Sequence, residues 1–239
     1  MNEYKIQIKN RELTVNIVRK KVKNINLRVT PNKEIFISAN KKIPFNVISK
    51  FIEKKADWIY KKISYFEQFN TSNNEMTFES GESFLYLGKQ YRIKVEQNIN
   101  NDAKLIGKYL NISVRDKSNI KMKNQIVNDW YFEKANLHYQ ISIHKLYQKF
   151  KKYGYEKPYL RIKKMKTRWG SYSKKTNTIN INIDLIKTPK YCVEYVLLHE
   201  LIHMRFQKHN KDFYYFLTVL MPDWEKRRGF LNEFVFKIL

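Results

Sequence analysis

The chain has 239 residues, 43% hydrophobic and 15% aromatic, enough to bury a real core in one domain or two. Against 22 Asp and Glu stand 47 Lys and Arg, a net charge of +25 that would attract nucleic acid, anionic membrane or acidic protein, although lysines spread along the whole chain also make an ordinary solvated surface. No run of 18 apolar residues and no charged-then-apolar leader is visible, so no membrane span or secretory signal is expected and the cytoplasm is the expected compartment; the single Cys192 excludes an internal disulfide and a cysteine-based zinc site.

Apolar residues alternate through residues 4–37 (Tyr4, Ile6, Ile8; Leu13, Val15, Ile17; Ile25, Leu27, Val29; Ile35, Ile37), with a turn at 30–33, which predicts a small antiparallel sheet. Pro44 opens a helix over 44–69, where Phe45, Ile48, Ile52, Ala56, Ile59, Ile63 and Phe66 recur at three and four residues before the polar stretch 70–75. Residues 78–95 read as a hairpin turning at Leu87-Gly88-Lys89, and 109–114 as another strand. Residues 1–115 therefore form an amino-terminal β-rich region around one helix.

A long helix is expected from about 120 to 153, carrying Ile126, Trp130, Leu137, Ile141 and Phe150 and stopped by Gly154. Its His138 and His144 are six apart and do not share a face as a ligand pair would. Residues 159–164 read as a strand and 174–177 as a turn. Over 178–184, Ile179, Ile181 and Ile183 alternate with Asn180, Asn182 and Asp184, a half-buried strand. Past His209, Asn210 caps a short helix with Phe213, Phe216, Leu217 and Leu220; Met221-Pro222 breaks it, and 223–239 reads as a terminal helix. No internal repeat is visible.

The chemistry concentrates in residues 188–210. Thr188 is the expected N-cap and Pro189 the first residue of a helix made apolar nearly all round by Tyr191, Val193, Tyr195, Val196, Leu197, Leu198, Leu201 and Ile202, hence buried. Inside it lies His199-Glu200-Leu201-Ile202-His203. Residues four apart on a helix are separated by about 40° around the axis and roughly 6 Å along it, so His199 and His203 project from one face and can share a metal ion. Glu200, one step away, reaches the metal's water without joining the ligand row, which makes it a base. Such a string arises by accident in only about 0.007 chains of this composition. With His209, three imidazoles leave a fourth tetrahedral position open, as in catalytic zinc sites.

MKTRWGSYS at 165–173, the INI strand, YVLLHELIH, the third histidine and Met221-Pro222-Asp223-Trp224 together resemble the YgjP-like group of SprT-related zinc metallopeptidases. Lys55-Ala56-Asp57-Trp58-Ile59 and the hairpin between Gly81 and Lys89 match the amino-terminal region of that group, so the resemblance covers nearly the whole chain. It implies zinc on His199, His203 and His209, with Glu200 as general base. It also implies a small zincin-like metallopeptidase domain with a few-stranded sheet, an active-site helix and a carboxy-terminal helix; with the amino-terminal antiparallel strands and helix read above, the expected fold is α+β, the zincin-like domain covering 116–239. Tyr172 stands where the group usually carries cysteine, which removes no ligand.

The expected reaction is peptide-bond hydrolysis. Candidates for holding substrate or its oxyanion are Arg168, Trp169 and Tyr172, with Asn180 and Asn182 facing a substrate aligned as an extra strand. Asp212, Asp223 or Glu194 is expected to orient a ligand histidine. Alternatives are a nucleic-acid-associated protease, holding DNA through Arg161, Lys163, Lys164, Lys166 and Arg168 near the cleft, and a non-catalytic zinc-binding module.

Overall fold

The amino-terminal period-2 stretches form strands, but their pairing is mixed. In the computed structural model, which describes residues 2–8, 11–30, 33–68, 76–165 and 168–238, the chain opens with β1 (Asn2–Ile8), β2 (Arg11–Arg19), β3 (Asn26–Val29) and β4 (Ile35–Ala39). Their order is β1-β2-β4-β3, and the central pair β2–β4 runs parallel where an all-antiparallel sheet was expected. Val15 lies opposite Ile35 and Ile17 opposite Ile37, and this register brings four buried side chains onto one face. The predicted turn at 30–33 includes Pro31 and Asn32, which lie outside the described residues, as does the polar stretch 70–75.

The helix expected over 44–69 is two helices, α1 (Phe45–Lys54) and α2 (Ala56–Gln68), broken at Lys55 (φ −101°, ψ 4°). There the amide of Lys55 is shared between the carbonyls of Phe51 and Ile52, a local tightening of the turn. Ile48, Ile52, Ile59 and Ile63 remain buried across the break, each worth about 1.5–3 kcal/mol of burial. Phe45 leaves the predicted stripe and is 45% exposed.

The next four strands, β5 (Ser83–Tyr86), β6 (Lys89–Gln97), β7 (Asp102–Ile106) and β8 (Tyr109–Val114), pair in the order β5-β6-β8-β7 with β6 parallel to β8. This repeats the scheme of β1 to β4, so a duplication absent from the sequence is present in the topology. β7 was not expected, since its outer residues Lys104 and Asp102 pair with each other and among its side chains only Ala103 is fully buried. The long helix α3 (Ile120–Phe150) follows, capped by Asn119, whose side chain accepts from the Met122 amide. A short 3-10 turn then carries the chain to Gly154, as predicted.

Phe84, Ile93, Leu110 and Ile112 from these strands share one core with Trp130, Tyr139, Leu197 and Leu201. The chain accordingly divides into compact units at Met1–Asn73 and Asn74–Ile238, and the boundary expected at 115/116 is displaced. A second sheet in the larger unit contains β9 (Tyr159–Lys163), β10 (Gly170–Ser173) and β11 (Thr178–Asn182), ordered β10-β11-β9. It is followed by α4 (Lys190–Ile202), α5 (Lys211–Leu220) and α6 (Trp224–Ile238). No described helix is long and apolar enough to cross a membrane.

The entry to α4 differs from the sequence reading. Thr188 is fully buried and closes a 3-10 turn over Ile183–Lys187, its hydroxyl donating to the Leu185 carbonyl at 2.8 Å, and so it does not cap α4. Pro189 precedes the first helical residue. The β5–β6 hairpin holds this junction: the Leu87 amide donates to the Ile186 carbonyl (2.8 Å) and the Gly88 amide to that of Lys187 (3.0 Å). A Cβ on Gly88 would stand 2.5 Å from Pro189 Cγ, and its φ of 80° is already in the left-handed region, so glycine meets both demands.

Candidate active site

α4 is buried on almost every side, with Cys192, Val193, Tyr195, Val196, Leu197, Leu198, Leu201 and Ile202 in the core. Burial pushes the Cys192 thiol up to about 12, so it is a packing residue. The polar exceptions are the half-buried His199 and His203 and the 5% exposed Glu200. Groups of this kind at such depth need a partner.

The structure brings His199, His203 and His209 together. Their ring centroids are 5.0, 4.8 and 4.7 Å apart in pairs, and one nitrogen from each ring lies within 4.8 Å of the others. Ligand nitrogens around a tetrahedral zinc are about 3.3 Å apart for bonds of about 2.0–2.1 Å. His199 Nε2 and His209 Nε2, at 2.9 Å, are close to that spacing. His203 Nδ1 lies 2.9 Å from the Phe206 carbonyl, which can only accept; Nδ1 carries the proton and Nε2 keeps its lone pair free. Burial pushes His199 down to about 3, with His203 and His209 adding to the effect, and burial also lowers His209. Both are neutral at pH 7, the form that binds metal. The donor set fits a zinc ion.

Two features invisible in the motif hold these rings. The buried Phe213 of α5 has its ring centroid 4.9 Å from His199, 5.0 Å from His203 and 4.7 Å from His209, an apolar floor beneath all three. Tyr214 stacks on His209 and is itself stacked on Trp224. The Asn210 side chain accepts from the Phe213 amide at 3.0 Å, the predicted cap, and thereby starts α5 at the residue after the ligand loop.

Glu200 faces β10. Burial raises its carboxyl to about 7, against the opposing pull of the Tyr172 amide, which bonds it, and of the Arg168 guanidinium. Gly170 is the close approach: a Cβ there would lie 2.9 Å from both Cγ and Oε1 of Glu200 and 3.0 Å from Val196 Cγ1. Gly170→Ala should therefore displace the carboxylate while leaving the imidazoles in place. The expected result in a structure of the variant is a shifted Glu200 side chain beside unmoved His199, His203 and His209; an unmoved carboxylate would show that Glu200 does not need the gap.

A cleft of about 530 Å³ opens over the site, lined by Arg168, Gly170, Ser171, Tyr172, Lys174, His199, Glu200, His203, Gln207 and His209. Among the sequence candidates, Arg168 and Tyr172 line it, although the Tyr172 hydroxyl is committed to Asn177 Oδ1 at 3.1 Å. Trp169 packs on the core instead. Asn180 and Asn182 cannot receive a substrate strand, because β11 is flanked by β10 and β9 on both sides. Asn182 is 4% exposed and its amide nitrogen donates to the carbonyls of Met165 (2.8 Å) and Arg168 (3.2 Å), holding the loop that presents Arg168.

The carboxylates expected to orient a ligand are engaged elsewhere. Glu194 and Asp223 both accept from Arg227, and Asp212 accepts from Asn210, while a backbone carbonyl serves His203. Arg161 and Lys163 sit on β9, at the opposite edge of the sheet from β10, so they do not flank the cleft; Lys166 lies outside the described residues. His138 meets the Tyr86 hydroxyl (2.8 Å) and His144 meets Gln148, both away from the cluster.

A histidine cluster on a buried helix, with a carboxylate beside it and a sheet edge alongside, is an arrangement suited to a metallopeptidase domain. Comparison with protein families gives the class directly: residues 23–234 match the model of the YgjP-like metallopeptidase domain, and the chain belongs to the YgjP-like family. Among solved structures it is similar to the metallopeptidase zymogen jannalysin of Methanocaldococcus jannaschii, at 21% identity over 40% of this chain and 88% of that one, with a TM-score of 0.36. No curated protein matches it.

Proposed function

We propose that the protein is a zinc-dependent peptidase in which His199, His203 and His209 hold one metal ion and Glu200 is the general base. The observation that carries this reading is the convergence of three imidazole nitrogens, from α4, its C-cap and the loop after it, within 4.8 Å beside the 5% exposed Glu200 of α4. Zinc bound there supplies Lewis-acid activation of water and of the scissile carbonyl.

The residues do the remainder. Glu200 accepts the proton of the attacking water on a carboxylate oxygen and returns it to the leaving amine nitrogen, and its carboxyl, raised to about 7, suits both directions. The Tyr172 amide and the gap at Gly170 fix the carboxylate, and Phe213 keeps water from the back of the imidazoles. Arg168, which lines the cleft, contacts the substrate to one side of the scissile bond.

The test is a peptide-library digestion read by mass spectrometry, with zinc-loaded and chelated protein, each with and without DNA. New amide-bond cleavages should appear only with zinc and need no DNA. Cleavage that requires DNA would support the nucleic-acid-associated alternative, and a zinc-loaded, folded protein that cleaves nothing would support a binding module.

A further inference from the structure

The charges around the cleft are one-sided. Of its lining residues Arg168 and Lys174 are cationic, and the single acid is Glu200, which is buried and engaged by the Tyr172 amide. Neither cation makes an ion pair among the described residues, whereas Arg227 of α6 is paired with both Glu194 and Asp223. Metal in the histidine cluster adds further positive charge. Low-dielectric walls around a cleft of one sign focus its field on whatever enters.

The two lining cations are also spaced. Arg168 lies two residues before β10 and Lys174 opens the 3-10 turn immediately after it, while Gly170 and Tyr172 of the strand meet Glu200. The four residues of β10 span on the order of 13 Å, and Arg168 and Lys174 lie beyond its opposite ends, so one cation stands on each side of the base. An extended peptide whose scissile bond lies at Glu200 reaches each cation about three residues from that bond.

We infer that the cleft selects peptides carrying carboxylates on both flanks of the scissile bond, with Arg168 and Lys174 as the specificity-determining groups. This rests on the peptidase reading above and adds the substrate class to it. The carboxylate comes from Asp or Glu side chains or, on the carboxy-terminal flank, from a substrate's own terminus.

The experiment uses the zinc-loaded full chain and mixed peptides with a randomised centre flanked, three residues out on each side, by Glu or by Gln, each pair made with a free acid or an amide at the carboxy terminus. Competition in one tube reads the ratio of kcat/KM directly. Glu-flanked peptides should be cleaved at least about tenfold faster at low salt, with the advantage shrinking as salt screens it. Lys174→Glu should lower that ratio about tenfold or more. A free-acid preference that survives with Gln flanks identifies the terminus as the source. Equal cleavage of Glu and Gln peptides of both end types, or a ratio unmoved by Lys174→Glu, overturns the inference and leaves the peptidase reading intact. Cleavage of none overturns both.

Discussion

Glu200→Gln is expected to keep its zinc and lose at least about 10²-fold in kcat, the usual scale for a missing general base. The amide fills the same space between Gly170 and the helix but cannot take the proton of water. In the metal-free protein its fold should be undisturbed, and even modestly stabilised, because a buried group with its carboxyl raised to about 7 costs folding free energy whenever it must ionise. The sign follows from the raised value: the unfolded chain releases this proton more readily, so the native state loses stability as pH rises from about 4.5 through 7, and the Gln variant lacks that loss. Steady-state kinetics with metal analysis on the same sample checks the claim. Near-parental turnover would remove Glu200 as base, and loss of zinc would make it a ligand or a scaffold of the site.

His209→Ala is expected to weaken zinc by more than about 100-fold, beyond what is lost when only an outer partner of a ligand is removed. His209 is exposed and lies on the loop between α4 and α5, so little packing disappears with it; Phe213 and Tyr214 lose one ring neighbour. Competition with a chromophoric chelator reads the affinity, and a melting curve shows whether the fold persists. Full occupancy in this variant would remove His209 from the ligand set.

The difference between these positions and the rest of the site explains what could be read beforehand. His199 and Glu200 lie on α4 and His203 is its C-cap, still in helical conformation, so spacing alone fixes which side chains share a face, and His209 follows within one loop. The cap at Asn210 and the stop at Gly154 were legible for the same reason, since a cap is a local bond. Phe213 looked like any apolar residue of a short helix; its contact with all three rings depends on how α5 folds back on α4. Gly170 carries no local signal that its missing Cβ leaves room for a carboxylate thirty positions away. Asn182 alternates with isoleucines in the sequence, yet it is buried as they are and the strand ends there instead of at 184, because alternation does not say that its strand is central. The parallel pairs β2–β4 and β6–β8, and the repeat they create, come from strand order, which periodicity does not encode. The domain boundary moved for a related reason: the strands before 115 are completed by helices after it, a partnership of cores and not of neighbours.

The central claim, one zinc on three histidines driving hydrolysis through Glu200, is tested most directly by titrating zinc into metal-free protein while following cleavage of a peptide found in the library digestion. Activity should be absent without metal, rise linearly, and break sharply at one zinc per chain. Full cleavage by the metal-free protein, or none at saturating zinc, would contradict it.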